Sequence, residues 1–157
     1  DGVRIGSINN TGTGGVAGPT YTNYSAQYST PLSRNAQKII TITSGANAGV
    51  RFAAWIDYDR DGMFEASEKL GEFENSAASE TQNIAFTVPM SAQVGSTIMR
   101  VRGIHLGIGE PAPVDPCYSY QTGETEDYGV VINANTPQDC AGVNNGPALP
   151  GTACNDG

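Results

Sequence analysis

The sequence has few positive charges and no long hydrophobic run. Lys and Arg together number 8 against 16 Asp and Glu, which gives a net charge of −8 at pH 7. Nucleic acids and anionic membrane surfaces attract cationic proteins, so this imbalance argues against either as a partner. No stretch approaches the roughly 20 apolar residues of a membrane helix, and we expect no membrane span.

Histidine and recognisable catalytic motifs are also scarce. His105 is the only histidine, and no Gly-x-Ser-x-Gly elbow accompanies it, so a serine-hydrolase triad is not indicated. A catalytic zinc ion needs two or three His, Cys or carboxylate ligands in a recognisable pattern, which is missing as well. The number of acids is compatible with a catalytic carboxylate pair of the glycosidase type. A calcium loop and ion pairs, described below, explain these acids better. We expect a protein without enzymatic activity.

Cysteine is limited to Cys117, Cys140 and Cys154. An odd number in a chain of secreted character suggests that one thiol has its partner elsewhere. Cys140 and Cys154 lie in a segment rich in Pro, Gly and Asn that has little core of its own, and we predict a disulfide between them. Cys117 is then free or available to an intermolecular partner. The cysteines and the low lysine content indicate a secreted, extracellular protein.

The most informative motif lies between Asp57 and Glu68 and reads Asp-Tyr-Asp-Arg-Asp-Gly-Met-Phe-Glu-Ala-Ser-Glu. Carboxylates at its first, third and fifth positions, a glycine at the sixth and a glutamate at the twelfth match a calcium loop. A hard cation needs about 6–8 oxygen ligands, and carboxylates this close repel one another without one. The alternative is a solvated acidic turn, but the complete match favours Ca²⁺. The predicted ligands are Asp57, Asp59, Asp61, the Met63 carbonyl, Glu68, and Glu65 directly or through water.

The flanks of this loop differ from those of a signalling EF-hand, which has a helix on each side. The preceding residues 49–57 are apolar and aromatic, as in a buried strand, and only residues 65–69 are compatible with a helical turn. A single loop attached to a strand indicates a structural clamp rather than a switch. We interpret Trp55, inside this strand, as a core residue rather than a sugar-stacking one.

Apolar residues alternate with a period of two along much of the chain, whereas helical periodicity is not convincing. We predict about eight strands joined by turn-rich loops, typical of an all-β, antiparallel β-sandwich with a jelly-roll-like arrangement. Residues 1–134 would form this domain and residues 135–157 a Cys-, Pro- and Gly-rich linker. The predicted strands include residues 3–8, 37–43, 49–57, 69–73, 82–88, 97–104 and 126–132.

Four segments carry a pattern that extends beyond the acidic loop. They are Ile5–Asn10, Trp55-Ile-Asp-Tyr-Asp-Arg-Asp-Gly62, Thr87-Val-Pro89 with Thr97–Arg102, and Gly123-Glu-Thr-Glu-Asp-Tyr128. Together, and in this order, they resemble the GEVED domain family. The resemblance implies a β-sandwich accessory module of large secreted bacterial proteins of the Bacteroidetes type. There such modules accompany peptidases, polysaccharide-degrading enzymes and adhesins, so we expect an attached catalytic domain. Members often begin with a Tyr-Cys pair whose cysteine is a possible partner of Cys117, and this sequence lacks that pair.

The acids of the last predicted strand form a second cluster, Glu124, Glu126 and Asp127. They either bind another cation or pair with Arg100 and Arg102 on a neighbouring strand. We favour pairing, because unpaired acids against a sheet are costly. Strand alternation puts Glu124 and Glu126 on one face and Asp127 on the other.

Aromatic and basic side chains outside the predicted core suggest a binding surface, although ordinary packing is the alternative for each tyrosine. Tyrosine rings can pack on the C–H face of sugars, and guanidinium groups pair with sulfate or carboxylate. One hypothesis is a non-catalytic module that holds its enzyme on an extended, anionic polysaccharide. A second is a protein-binding or adhesion module for a collagen-like extracellular matrix protein or another domain, and a third is a calcium-stiffened spacer. The candidate ligand-binding residues are Tyr21, Tyr24, Tyr28, Arg100, Arg102, His105, Tyr118 and Tyr120.

Overall fold

The computed structural model describes residues 2–13, 19–105 and 112–135. Ten strands and one short 3₁₀ turn, Ala66–Glu68, make up the regular structure of this part of the chain. The strands are β1 (Gly2–Ile5), β2 (Ile8–Thr11), β3 (Pro19–Asn23), β4 (Ser29–Ser33), β5 (Gln37–Thr43), β6 (Arg51–Ile56), β7 (Lys69–Glu74), β8 (Thr81–Thr87), β9 (Gly95–Ile104) and β10 (Gly123–Asn133).

The strands form two sheets, which confirms the predicted all-β sandwich. One sheet has the order β2-β1-β5-β8, and the other has the order β3-β10-β9-β6-β7 with β4 also paired to β10. All pairs are antiparallel except those of β10 with β3 and β4, which are parallel and follow each other along one edge of β10. This parallel edge departs from the antiparallel arrangement predicted from the sequence.

The main core lies between the two sheets and is built from alternate residues of each strand. On β9, Met99 and Val101 face this core, so Arg100 and Arg102, at the alternate positions, lie on the opposite face of the strand. Tyr128 is also fully buried here. The four-stranded sheet contributes Val3, Ile40, Ile42 and Ile84.

A second, smaller core covers the outer face of the six-stranded sheet. Trp55 is fully buried in it, together with Ala53, Ile104, Val114 and Tyr120. Val114 and Tyr120 come from residues 112–122, which cross this face between β9 and β10. The strand β6 is apolar on both faces because each face packs against one of the two cores. The interpretation of Trp55 as a core residue is therefore confirmed.

The N-terminal region differs from the predicted single strand over residues 3–8. It forms a hairpin in which Ile5 and Ile8 are paired and Gly6 turns the chain. Gly6 has a φ of 54°, and a Cβ atom there would lie 2.1 Å from Thr30 Oγ1, so only glycine fits. Among the described residues, no helix is long and apolar enough to cross a membrane.

The predicted linker lies almost wholly outside the described residues. The proposed Cys140–Cys154 disulfide falls there and stays a prediction. Cys117 is described, and its thiol is exposed and free.

Candidate metal loop and binding cleft

The acidic loop, residues 57–68, connects β6 to β7 and is anchored at its start. The Asp57 backbone N–H donates to the Ile98 carbonyl (3.1 Å), and the Thr97 hydroxyl donates to the Asp57 carbonyl (2.5 Å). The Tyr58 carbonyl accepts the Gln93 backbone N–H at 2.7 Å. The loop therefore begins on a rigid strand edge and not at the end of a helix.

Tight turns bring the loop carboxylates toward one another. Arg60 and Gly62 have φ angles of 62° and 85°, in the left-handed region that reverses the chain direction. The Asp57 carboxylate accepts both of their backbone N–H groups, at 2.6 and 3.2 Å. The Asp61 carboxylate accepts the Met63 N–H at 2.8 Å. These are the short-range bonds by which Asp side chains stabilise turns.

Five carboxylates of this loop form two overlapping groups around Asp59. One oxygen each from Asp57, Asp59 and Asp61 lie within 4.8 Å of one another, and the same holds for Asp59, Glu65 and Glu68. The Met63 side chain is 62% exposed, so any contribution of that residue would come from its carbonyl. Oxygen-only donors of this kind suit a hard divalent cation such as Ca²⁺.

Glu68 is the most enclosed carboxylate of the loop, with only 4% of its surface exposed. Its Oε1 accepts the Tyr58 N–H at 2.5 Å and the Asp59 N–H at 3.3 Å, and its Oε2 accepts the Glu65 N–H at 3.3 Å. Burial raises the pKa of Glu68 to about 7, although the Tyr58 N–H bond opposes the shift. A cation nearby would favour the charged form that burial penalises.

An open cleft of about 350 Å³ lies on the outer face of the six-stranded sheet. The strand register brings the side chains of the cleft together. Thr125 on β10 lies opposite Tyr21 on β3 and opposite Arg102 on β9. Five of the eight predicted ligand-binding residues line the cleft: Tyr21, Arg100, Arg102, Tyr118 and Tyr120. The other lining residues are Thr20, Pro116, Cys117, Ser119 and Thr125.

Arg100 is fixed in the cleft by an acid and two aromatic rings. Its Nε and Nη2 donate to the two carboxylate oxygens of Asp127, each at 2.8 Å. The Arg100 Cζ lies 4.7 Å from the Phe64 ring centroid and 5.9 Å from that of Tyr21. The Tyr21 hydroxyl also donates to Asp127, at 2.9 Å. The predicted pairing of a β10 acid with a β9 arginine is thus confirmed for Asp127 and Arg100.

Arg102 occupies a deeper position in the same cleft. Its Nη1 donates to the Asp115 carbonyl at 2.7 Å, and its Cζ lies 4.9 Å from the Tyr120 ring centroid. Its Nε is buried without a hydrogen-bond partner among the described residues. Burial lowers the pKa of Arg102 from its ordinary value. The Tyr118 and Tyr120 rings are 4.8 Å apart, and Tyr118 is 44% exposed at the rim.

The other predicted ligand-binding residues lie away from the cleft. Tyr24 and Tyr28 are half-buried and pack against the core residue Tyr128, with centroid distances of 5.6 and 6.3 Å. His105 is exposed just after β9 and does not line the cleft. The structure therefore does not join these three residues to the other five.

The remaining β10 acids share one face, as the alternation predicted, but this face is turned to the main core and away from Arg100 and Arg102, so the predicted pairing is wrong for these two acids. Glu124 and Glu126 are buried between the sheets. The Tyr128 hydroxyl donates to Glu126 Oε2 at 2.8 Å and accepts from Asn10 Nδ2 at 3.1 Å, which links β10 to β2. Because Asp127 points to the opposite face, the three acids do not converge on one cation among the described residues.

Two residues at or beside the cleft were not predicted from the sequence. Phe64 lies beside the cleft, and its ring contacts the lining residue Arg100. Thr125 was not considered, although it shares the face of Asp127 two residues away on β10. The alternation along β10 could have shown that Thr125 lies on the same face as Asp127, whereas no local sequence feature indicated the contact between Phe64 and Arg100.

Comparison with protein families gives one match. The family model described as GEVED domain matches residues 51–131, which is more than half of the chain. The matched range contains the acidic loop, β6 to β9 and most of β10. No curated protein gives a significant match.

Proposed function

Because this chain belongs to the GEVED domain family, an accessory rather than a catalytic one, we propose that it is a non-catalytic, calcium-stabilised carbohydrate-binding module. It would be secreted as part of a larger bacterial protein and would hold an attached enzyme on an extended, anionic polysaccharide. Fold alone argues no ligand, so the proposal depends on the cleft.

The observation that carries the proposal is the arrangement of aromatic rings around the cleft. Tyr21 is 58% exposed and Tyr118 is 44% exposed, and both are held by neighbours rather than extended freely into solvent. Rings that are already ordered lose little conformational freedom when a sugar packs on them. The cleft is open along the sheet surface, which suits a polymer better than a small molecule.

The charge of the cleft supports an anionic polymer. Its described lining residues include Arg100 and Arg102 but no acid, in a chain whose net charge is −8. Asp127 neutralises part of the Arg100 charge. Binding should therefore be modest and should weaken with added salt, since the ligand competes with water and ions for partly exposed charges.

Calcium would stabilise the module through the acidic loop. The carboxylates of Asp57, Asp59, Asp61, Glu65 and Glu68 fit a Ca²⁺ donor set, with the Met63 carbonyl as a further ligand. Loop anchoring on β9 means that the ion would fix the connection between two strands of the larger sheet.

Affinity electrophoresis tests this function with fucoidan as a sulfated polymer, polygalacturonate as a uronate polymer and laminarin as a neutral one. We expect retardation by an anionic polymer in the wild type and about tenfold weaker binding for Tyr21→Ala or Tyr118→Ala, since an aromatic contact to a ligand ring contributes roughly 1–2 kcal/mol. Ile39→Ala, an exposed residue on the other sheet, is the matched control. Absence of retardation by every polymer would contradict the proposal.

A protein-binding function is the second candidate, because a specific apolar feature favours it. Ile39 is 56% exposed on β5, beside a groove of about 670 Å³ between β5 and β8. The groove is lined by Gln37, Lys38, Ile39, Ala85, Phe86 and Thr87. Binding of a collagen-like protein that is lost in Ile39→Asp, with no glycan binding, would replace the first function by this one.

A further inference from the structure

Phe64 lies between Met63 and Glu65, which are both predicted metal ligands. Its ring contacts Arg100, which lines the cleft, and so connects the acidic loop to the cleft. That ring lies 4.7 Å from the Arg100 Cζ and packs against the second core. A side chain in this position cannot stay fixed if the backbone on either side of it moves.

A movement of Phe64 would affect the cleft through Arg100. Its guanidinium carbon lies over the Phe64 ring at 4.7 Å and over the Tyr21 ring at 5.9 Å, and the group donates two hydrogen bonds to Asp127. Tyr21 in turn donates to the same Asp127 carboxylate. Loss of the Phe64 contact would remove one of the supports of Arg100 and would allow Arg100, Asp127 and Tyr21 to shift together.

We propose that Phe64 is a positioning residue that couples cation binding in the acidic loop to ligand binding in the cleft. This inference rests on the proposed function. The cation need not touch the ligand. A bound cation would fix the backbone of residues 63–65 and with it the position of the Phe64 ring, and the ring would in turn fix the position of Arg100. Without the cation, the crowded carboxylates repel one another and the loop loosens.

The coupling must act in both directions, because linkage between two binding sites is reciprocal. A ligand in the cleft that orders Arg100 should tighten cation binding by the same factor by which the cation tightens ligand binding. Couplings between sites commonly amount to about 5- to 150-fold in affinity. We expect the low end of this range, because Asp127 still holds Arg100 when Phe64 moves.

The loop is also connected to β9 by hydrogen bonds of its backbone, so the contribution of Phe64 can be tested separately from this second connection. The Thr97 hydroxyl and the Ile98 carbonyl, on the same strand as Arg100, both bond to the Asp57 backbone. If the signal travelled only along this backbone path, removing the Phe64 ring would leave the coupling unchanged.

The test follows the side-chain Nε–Hε signal of Arg100 by ¹⁵N NMR while CaCl₂ is added, with calcium affinity measured in parallel by calorimetry. We expect the signal to shift with saturation in the wild type, in Phe64→Tyr and in the control Met90→Ala, which changes an exposed residue outside the loop and the cleft. In Phe64→Ala we expect calcium affinity within about threefold of wild type but little shift of Arg100. Phe64→Leu, which keeps apolar volume without a ring, replaces Phe64→Ala if the latter does not fold.

A parallel measurement uses fucoidan in the presence of CaCl₂ or EDTA. We expect EDTA to weaken wild-type binding about fivefold or more, and to have little effect on Phe64→Ala, whose affinity should already be low. If fucoidan does not bind at all, the proposed function loses support while the Arg100 signal still decides the coupling. An Arg100 signal that does not respond to calcium in the wild type, or that responds equally in Phe64→Ala, would overturn the inference.

Discussion

The two acidic clusters of this chain are similar in sequence but opposite in structure. In the loop, carboxylate oxygens of Asp57, Asp59 and Asp61 lie within 4.8 Å of one another, and the same holds for Asp59, Glu65 and Glu68. On β10, Glu126 and Asp127 are neighbours that point to opposite faces of the sheet. Glu126 receives a hydrogen bond from Tyr128 and Asp127 receives two from Arg100.

The difference shows that backbone conformation decides what a run of acids can do. A tight turn with left-handed residues at Arg60 and Gly62 collects its carboxylates on one side. An extended strand separates adjacent side chains, so each acid must find its own partner. The loop carboxylates would therefore need a cation to offset their mutual repulsion, whereas Glu126 and Asp127 each accept hydrogen bonds from side chains of the protein.

Calcium removal should produce the largest effect. A ligand bound only by the folded state stabilises it by about 4 kcal/mol when its free concentration exceeds Kd about 1,000-fold. In a domain of this size this corresponds to a decrease in Tm of roughly 10 °C, measured by calorimetry with EDTA. Asp61→Ala should reproduce most of this decrease and should no longer respond to EDTA. An identical Tm with CaCl₂ and with EDTA in the wild type would contradict the loop prediction.

Breaking the Arg100–Asp127 pair should have an intermediate effect. Asp127→Asn keeps one acceptor oxygen but leaves Arg100 without its counter-charge, and we expect a loss of about 2 kcal/mol because the pair is mostly but not fully buried. Urea denaturation measures the change. The decrease in Tm caused by EDTA should stay as large as in wild type. A much smaller EDTA effect in this variant would mean that the β10 acids also take part in cation binding.

Glu126→Gln should have the smallest effect, below about 1 kcal/mol in urea denaturation. The amide oxygen of glutamine can still accept from the Tyr128 hydroxyl, and a buried negative charge is removed at the same time. The matched change Glu126→Leu deletes the acceptor of the Tyr128 hydroxyl, which would still accept from Asn10 Nδ2. Equal stability of the two variants would show that this link between the sheets contributes little.

The acidic loop could be predicted from sequence because its geometry is local. Twelve consecutive residues contain both the carboxylates that would bind the cation and the turn residues that bring them together, and the position of Gly62 predicted the sharp turn. Core strands such as β5 and β9 were predicted for a similar reason, since alternation within a single strand shows which face is buried. The opposite orientation of Met99 and Arg100 followed from this alternation alone.

The cleft could not be predicted as a unit, because it depends on which strands lie side by side. Tyr21 lies in the same cleft as Arg102 only because β3 pairs in parallel with β10, which places both residues opposite Thr125. Nothing in the polar sequence of β3 or β4 signals a strand, so both were missed, and Tyr24 and Tyr28 were grouped with Tyr21 although they pack against the core. Trp55 was assigned to a core, but the second core that buries it required the crossing of residues 112–122.

The most direct test of the contrast between the two acidic clusters is calorimetric titration of Ca²⁺ into the wild type, Asp61→Ala and Glu126→Gln. We expect a single site in the wild type, loss of binding in Asp61→Ala, and an unchanged affinity in Glu126→Gln, since within the described part of the chain only the loop carboxylates converge. Calcium binding that survives Asp61→Ala, or that is lost in Glu126→Gln, would contradict the assignment of the cation to the loop.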